Sequence, residues 1–162
     1  KIDINSPAAT VVTCFSKIEP LMLESDVSID DAHNLMIKEH VKMKIIIDQS
    51  ENMIGSVSLE DIMGEKSIVL TQRNGGRKNV QVSEVMTQMK DLSLIPEPEL
   101  EVSTIKDVIH TLKDHQIKHV FIVNTEKKKI TGVIAASDIA RRLRIPLLIE
   151  ESPTFNSIFK TI

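Results

Sequence analysis

Two aspartates, Asp61 and Asp138, each stand six residues after a glycine, Gly55 and Gly132, and each is followed closely by cationic side chains. Arg141, Arg142 and Arg144 come after Asp138, and Lys66 comes after Asp61 across Gly64. An ionised carboxylate accepts several hydrogen bonds at once, and an arginine fork fits an oxyanion. Such residues suit the capture of a polar ligand. Catalysis has no comparable support, because serines, histidines and aspartates are scattered and no nucleophile elbow is present. The histidines, His33, His40, His110, His115 and His119, put no two imidazoles on one helical face, and the single cysteine, Cys14, offers no partner for a metal cage. Asn74-Gly75-Gly76 lacks both P-loop and dinucleotide-fingerprint spacing and reads as a turn.

The two aspartates belong to a longer pattern that is written twice. Ser28-Ile29-Asp30-Asp31 is answered by Thr104-Ile105-Lys106-Asp107, and Val41-Lys42 with Ile45-Ile46-Ile47-Asp48 by Ile117-Lys118 with Phe121-Ile122-Val123-Asn124, at a shift of 76 residues. At a shift of 77, Gly55-Ser56-Val57 and Asp61-Ile62 are answered by Gly132-Val133-Ile134 and Asp138-Ile139. The extra residue falls in the turn Glu126-Lys127-Lys128-Lys129. One supersecondary unit has been used twice. Each repeat is too small to bury a comfortable share of its surface, so the halves are expected to share a core.

Composition narrows the functional classes. A net charge of −3 gives no electrostatic footprint for nucleic acid, and with no Trp or Tyr and four Phe there are few platforms for stacking bases. No apolar run approaches the roughly 20 residues of a membrane span. A soluble protein of a reducing compartment is expected, with one cysteine and no internal disulfide. The chain opens with Lys1, so an upstream segment with a targeting signal stays open.

Each repeat reads as strand, helix, strand, strand, helix. In the first, Leu21–Leu23 is a short strand, Ser28 with Asp31 starts a capped helix to about His40, and Ile29, Ala32, His33, Met36 and Ile37 form its apolar face. The β-branched run Ile45–Ile47 is a buried strand, joined by a hairpin through Asp48–Asn52 to Met53–Ser58, with a helix from Leu59. In the second, Leu92–Ile95 is a strand, Pro96–Glu101 a connection broken by Pro96 and Pro98, and Thr104 starts a helix buried through Ile105, Val108, Ile109 and Leu112. Strands at Val120–Val123 and Ile130–Ala135 precede a helix from Ser137 to Leu143. Residues 1–17 are expected to be an irregular arm with a turn at Cys14-Phe15, and Gln72–Asn79 a mobile surface loop. Ser152-Pro153 followed by Phe155, Ile158, Phe159 and Ile162 predicts a final amphipathic helix.

The repeated pattern, in which a capped helix and an apolar strand ending in Asp or Asn precede glycine, an apolar strand and aspartate, resembles a tandem pair of cystathionine-β-synthase (CBS) domains, a Bateman module. The last part reads Gly55-Ser56-Val57-Ser58-Leu59-Glu60-Asp61 in one copy and Gly132-Val133-Ile134-Ala135-Ala136-Ser137-Asp138 in the other. The resemblance implies a mixed α+β (α/β) fold, two βαββα repeats packed sheet to sheet around a pseudo-twofold axis, with clefts that bind adenosine-containing ligands. Asp61 and Asp138 match the family's ribose-binding aspartate, whose carboxylate can accept from both vicinal hydroxyls. Ser58 matches a phosphate-binding hydroxyl, which Ala135 cannot supply. Lys42 and Lys118 match basic phosphate-binding positions, His119 an adjacent one that is Met43 in the first copy, and Arg141 adds a fork. Ile45 and Phe121 replace the proline that often opens the central strand; Phe121 either stacks on adenine or fills the core. Asp is favoured near helix starts in any case, so a purely structural role competes for both aspartates.

The domains expected on this basis are an arm at 1–19, a first repeat at 20–67, a linker helix and mobile loop at 68–84, a second repeat at 85–145 and a C-terminal helix at 146–162. The function expected is that of a cytoplasmic, non-enzymatic regulatory module. It senses AMP, ATP or NAD, requires no cofactor or metal, forms a homodimer and transmits occupancy to that oligomer or to a regulated partner, with no role for nucleic acid or membrane. The rival is a structural dimerisation module with no bound ligand.

Overall fold

The computed structural model describes residues 1–15, 22–147 and 149. These fall into two compact units, one made from residues up to Leu92 that follow the arm, the other from the arm together with the chain from Ser93 onward. Each contains one copy of the repeat.

In the first-repeat unit the order is β2 (Met22–Glu24), α1 (Ile29–Glu39), β3 (Met43–Ile47), β4 (Met53–Ser58), α2 (Leu59–Met63), α3 (Glu65–Asn74) and β5 (Thr87–Gln88), with β1 (Thr13–Cys14) belonging to the other unit. The sheet order is β2-β3-β4-β5. β2 runs parallel to β3 because α1 crosses between them, and the other pairs are antiparallel. Ser28 caps α1 by accepting from the Asp31 amide. Ile29, Ala32 and Met36 bury one side of α1 against Ile46, Val57 and Ile62. Ile37, expected on that face, is 56% exposed, while Leu35 packs against the core.

In the second-repeat unit, β6 (Leu94–Pro96), α4 (Glu97–Val102), α5 (Ile105–His115), β7 (His119–Asn124), β8 (Lys129–Ala135) and α6 (Ala136–Leu143) follow, with sheet order β1-β8-β7-β6. Its core joins Ile105, Val108 and Leu112 of α5 to Val120, Ile122, Ile134 and Ile139, and takes in Ala8 and Val11 of the arm.

The duplication extends to details of the backbone. His40 and Gln116 end their helices in the left-handed conformation, Glu51 and Lys128 repeat it in the hairpins, and both middle strands carry a bulge, after Ile46 and after Ile122. The recurring glycines face the edge strands. A side chain on Gly132 would meet the Thr13 carbonyl at 2.9 Å, and one on Gly55 would run into the Thr87 carbonyl. Glycine is therefore needed so that β1 and β5 can close on β8 and β4.

Further expectations need correction. The arm is ordered, with a 3₁₀ turn at Ala8–Val11 and Thr13–Cys14 paired to Val133 and Gly132. Gln72–Asn74 is the end of α3, stopped by Gly75 at φ 80°, with Asn79 Nδ2 donating to the Asn74 carbonyl at 2.9 Å; only the residues after it form a turn. The Pro96–Glu101 connection is largely α4, because Pro98 occupies the first turn, where proline removes no helical hydrogen bond. The strand before it is Leu94–Pro96 rather than Leu92–Ile95. Leu21 and the C-terminal helix expected through Phe155, Ile158, Phe159 and Ile162 lie outside the described residues.

Candidate functional site

The residues singled out for ligand binding gather into two groups, one in each unit and at equivalent places. In each, the middle strand begins beside the end of the last strand, and a short helix starts there. In the first unit Met43 pairs with Ser58, and the Lys42 carbonyl accepts from the Leu59 amide at 3.0 Å. This brings the backbones of Lys42, Ser58 and Asp61 together. In the second unit His119 pairs with Ala135, and the Lys118 carbonyl accepts from the Ala136 amide at 2.9 Å, gathering Lys118, His119, Asp138 and Arg141.

The first group is closed by a capping box. Ser58 Oγ accepts from the Asp61 amide at 3.1 Å, and Asp61 Oδ2 accepts from the Ser58 amide at 2.9 Å. These bonds satisfy the opening turn of α2. They do not exhaust either group, since a hydroxyl retains its proton to donate and a carboxylate has a second oxygen to accept. Asp61 is half-buried, and burial pushes its carboxyl above the usual range, helped by Glu60 and opposed by the Ser58 bonds and by Lys66. From α3, the buried Ser67 hydroxyl donates to the Asp61 carbonyl and fixes the turn from behind. Lys42 is exposed.

The second group is built differently. Ala135 offers no cap, so α6 starts without a side-chain hydrogen bond. Asp138 instead accepts from Arg141 Nη2 at 3.0 Å. Arg141 occupies the position of Gly64 in the first copy, where α2 ends and the chain bends into α3. Arg141 is therefore peculiar to the second copy. Arg142 and Arg144 are exposed, with Arg144 ending α6 in the left-handed conformation. His119 lies 6.5 Å from Phe121, ring centre to ring centre, at 27° between planes, two residues apart on one face of β7. Phe121 and its counterpart Ile45 are each 1% exposed and stand on the opposite sheet face from Ile122 and Ile46. His115 and His119 are four apart in sequence, but one ends α5 and the other opens β7. Among the described residues no group of histidine, cysteine and acidic side chains could hold a metal ion.

Sequence reasoning overlooked two contributors. Arg77, beyond α3, reaches His33 Nδ1 at 3.1 Å and Asp30 at 3.7 Å, and so ties the linker to α1. Nothing in its local sequence marks it. The edge strands β1 and β5 did leave a signal. Asn5–Cys14 and Asn79–Gln88 align with Ala8 on Val82, Val11 on Val85 and Thr13 on Thr87. Pro7 and Gln81 then bridge to Thr104 and Ser28 in the same way.

Comparisons with known proteins agree with this construction. The family model described as CBS domain matches residues 12–67 and 82–145. A comparison with curated protein sequences gave no significant match. Among solved structures, an uncharacterized conserved protein from Pyrococcus horikoshii is 21% identical, with TM-score 0.68 over 92% of this chain and 100% of that one. A hemolysin-like protein containing a CBS domain from Oenococcus oeni is 18% identical, with TM-score 0.62 over 86% and 92%. CBSX2, a CBS-pair protein of Arabidopsis thaliana, has been solved in complex with AMP; it is 17% identical, with TM-score 0.62 over 85% of this chain and 95% of that one. With the family pattern matched twice, across both structural units and most of the sequence, the chain belongs to the CBS-domain family and is a tandem CBS pair.

Proposed function

We propose that this CBS pair is a regulatory module that binds an adenine nucleotide and passes occupancy to its oligomer or to a partner protein. The observation that carries this reading is the duplicated placement of Asp61 and Asp138, each in the first turn of a helix that starts where two strands meet beside a basic residue. An aspartate so placed accepts from the ribose diol and is favoured by the helix's N-terminal partial charge. The Ser58 hydroxyl, Lys42, Lys118, His119 and Arg141 supply donors for phosphate. Arg141 gives Asp138 one N–H and keeps its other donors for a phosphate. The AMP complex of CBSX2, a protein of the same fold, supports an adenosine ligand.

In this reading the protein is a cytoplasmic homodimer, the ligand is AMP, ATP or NAD, and the role is binding without turnover. The influence of the ligand on a partner is limited to its differential affinity for the states it selects. A thermal-shift panel tests it: a nucleotide at about 100 times its Kd stabilises by about 2.7 kcal/mol. Asp61→Asn and Asp138→Asn should each lower the response. Flat melting curves with every adenine nucleotide at millimolar concentration would discard the nucleotide reading.

A second reading has its own support. Ser58 and Asp61 already serve as each other's capping partners, Phe121 and Ile45 are fully buried, and Ala135 has no hydroxyl. A structural dimerisation module with no ligand accounts for these features. It predicts no ligand response and a mass that changes when the C-terminal segment is removed.

A further inference from the structure

The two places where the second repeat is longer than the first meet at one cavity. Residues 25–28 join β2 to α1, whereas residues 97–104 join β6 to α5 and contain α4. Between the paired residues Ile47 and Met53 lie 48–52, whereas between Val123 and Ile130 lie 124–129, one residue more. Both additions line a cavity of about 470 Å³ within the second-repeat unit. It lies at the hairpin end of β8, away from the Ala135 end that carries Asp138. None of the residues assigned to nucleotide binding lines it.

We propose that this cavity is a second ligand site, for a small organic acid with an apolar body. Its volume falls within the range of about 300–1,000 Å³ usual for small-molecule sites. Apolar walls come from Leu100 of α4, Ile122 and Ile130 of the sheet, and Val12 of the arm. Lys127 and Lys129 of the lengthened hairpin face the cavity as cations. Glu97 is the one carboxylate of the lining, and it accepts from the Thr131 hydroxyl at 3.4 Å, so a ligand's acid group belongs at the lysine side. The hairpin of the first repeat shows the contrast. There the Asp48 carboxylate accepts from the Ser50 and Asn52 amides, both at 2.9 Å, closing the turn on itself. In the second repeat Asn124 holds the turn with one bond, from the Lys127 amide at 3.0 Å, and lysines fill the added length.

Octanoate is a suitable probe, followed by amide chemical shifts of the whole chain. Saturable shifts confined to α4, β1 and the β7–β8 hairpin are expected. Replacing octanoate by octanol, or introducing Lys127→Glu with Lys129→Glu, should weaken binding at least tenfold, and Glu97→Gln should tighten it. These hairpin substitutions lie on the surface, and unchanged shifts elsewhere would report that the fold is kept. The proposal is overturned if octanoate produces no saturable shift at millimolar concentration, or if octanol and the double lysine variant bind as well as octanoate and wild type do. AMP should shift the Asp61 and Asp138 helices instead, so failure of this site and failure of the nucleotide site are read from different residues.

Discussion

Asp61 shows how one carboxylate can serve both fold and ligand. Its burial raises its pKa above the ordinary 3.8 even though the Ser58 bonds pull the other way. The folded chain therefore holds this proton more tightly than the unfolded chain does. Above the folded pKa the buried charge weighs against stability, and that penalty fades as pH falls toward the unfolded value. Asp107 has the opposite sign: hydrogen bonds from Thr104 lower its pKa, so its contribution is complete above about 3.8 and is lost as pH falls through the lower folded value. A protonated Asp61 also gives up acceptor capacity, so its share of nucleotide affinity should decline at a pH where an ordinary carboxylate is still ionised. Carbon-detected titration of the Asp61 carboxyl should give a midpoint above 3.8. A midpoint at or below that of a model peptide would contradict the burial argument.

At the scale of elements, the two copies differ in what starts the helix after the last strand. α2 has a complete capping box, while α6 begins at Ala135 with no side-chain cap. Ala135→Ser should restore the missing bond to the Asp138 amide and stabilise the protein by about 1 kcal/mol, measured by urea unfolding. A destabilised variant would show that the strand end cannot turn a hydroxyl toward α6. The helix starts at Ser28 and Thr104 were legible in the sequence because the aspartates three residues on carry the signal locally, whereas Ala135 carries none and α6, expected from Ser137, begins at Ala136. The β-branched runs and recurring glycines were legible for the same reason. The helical parts of 72–74 and 97–102 were not, since their Pro and Gly read as breakers until their positions at helix ends were known. The pocket was hidden too. Lys127 and Lys129 stood out only as an added turn, and the lining from α4 and the arm comes from distant sequence.

For the whole molecule, chain order and structural unit do not coincide. The arm that precedes the first repeat completes the sheet and core of the second, while the linker that precedes the second completes the first. Removing residues 1–15 should therefore loosen the far end of the chain. Hydrogen exchange should show lost protection in α5, β8 and α6, with α1, β3 and β4 keeping theirs. Loss centred on the first repeat would refute this pairing. The same crossing explains why the arm was misread as irregular: its partners, Gly132 and Val133, lie far away in sequence.

The claim on which the functional account rests is that the duplicated aspartates receive a nucleotide. Titrating AMP into the labelled protein and following the amides of Ser58–Asp61 and Ala135–Asp138 tests it most directly. The account predicts saturable shifts at these helix starts that are lost in the Asp61→Ala, Asp138→Ala double variant, while that variant still gives a dispersed spectrum. Saturable AMP binding that leaves both helix starts unmoved, or that survives the double substitution, would contradict it.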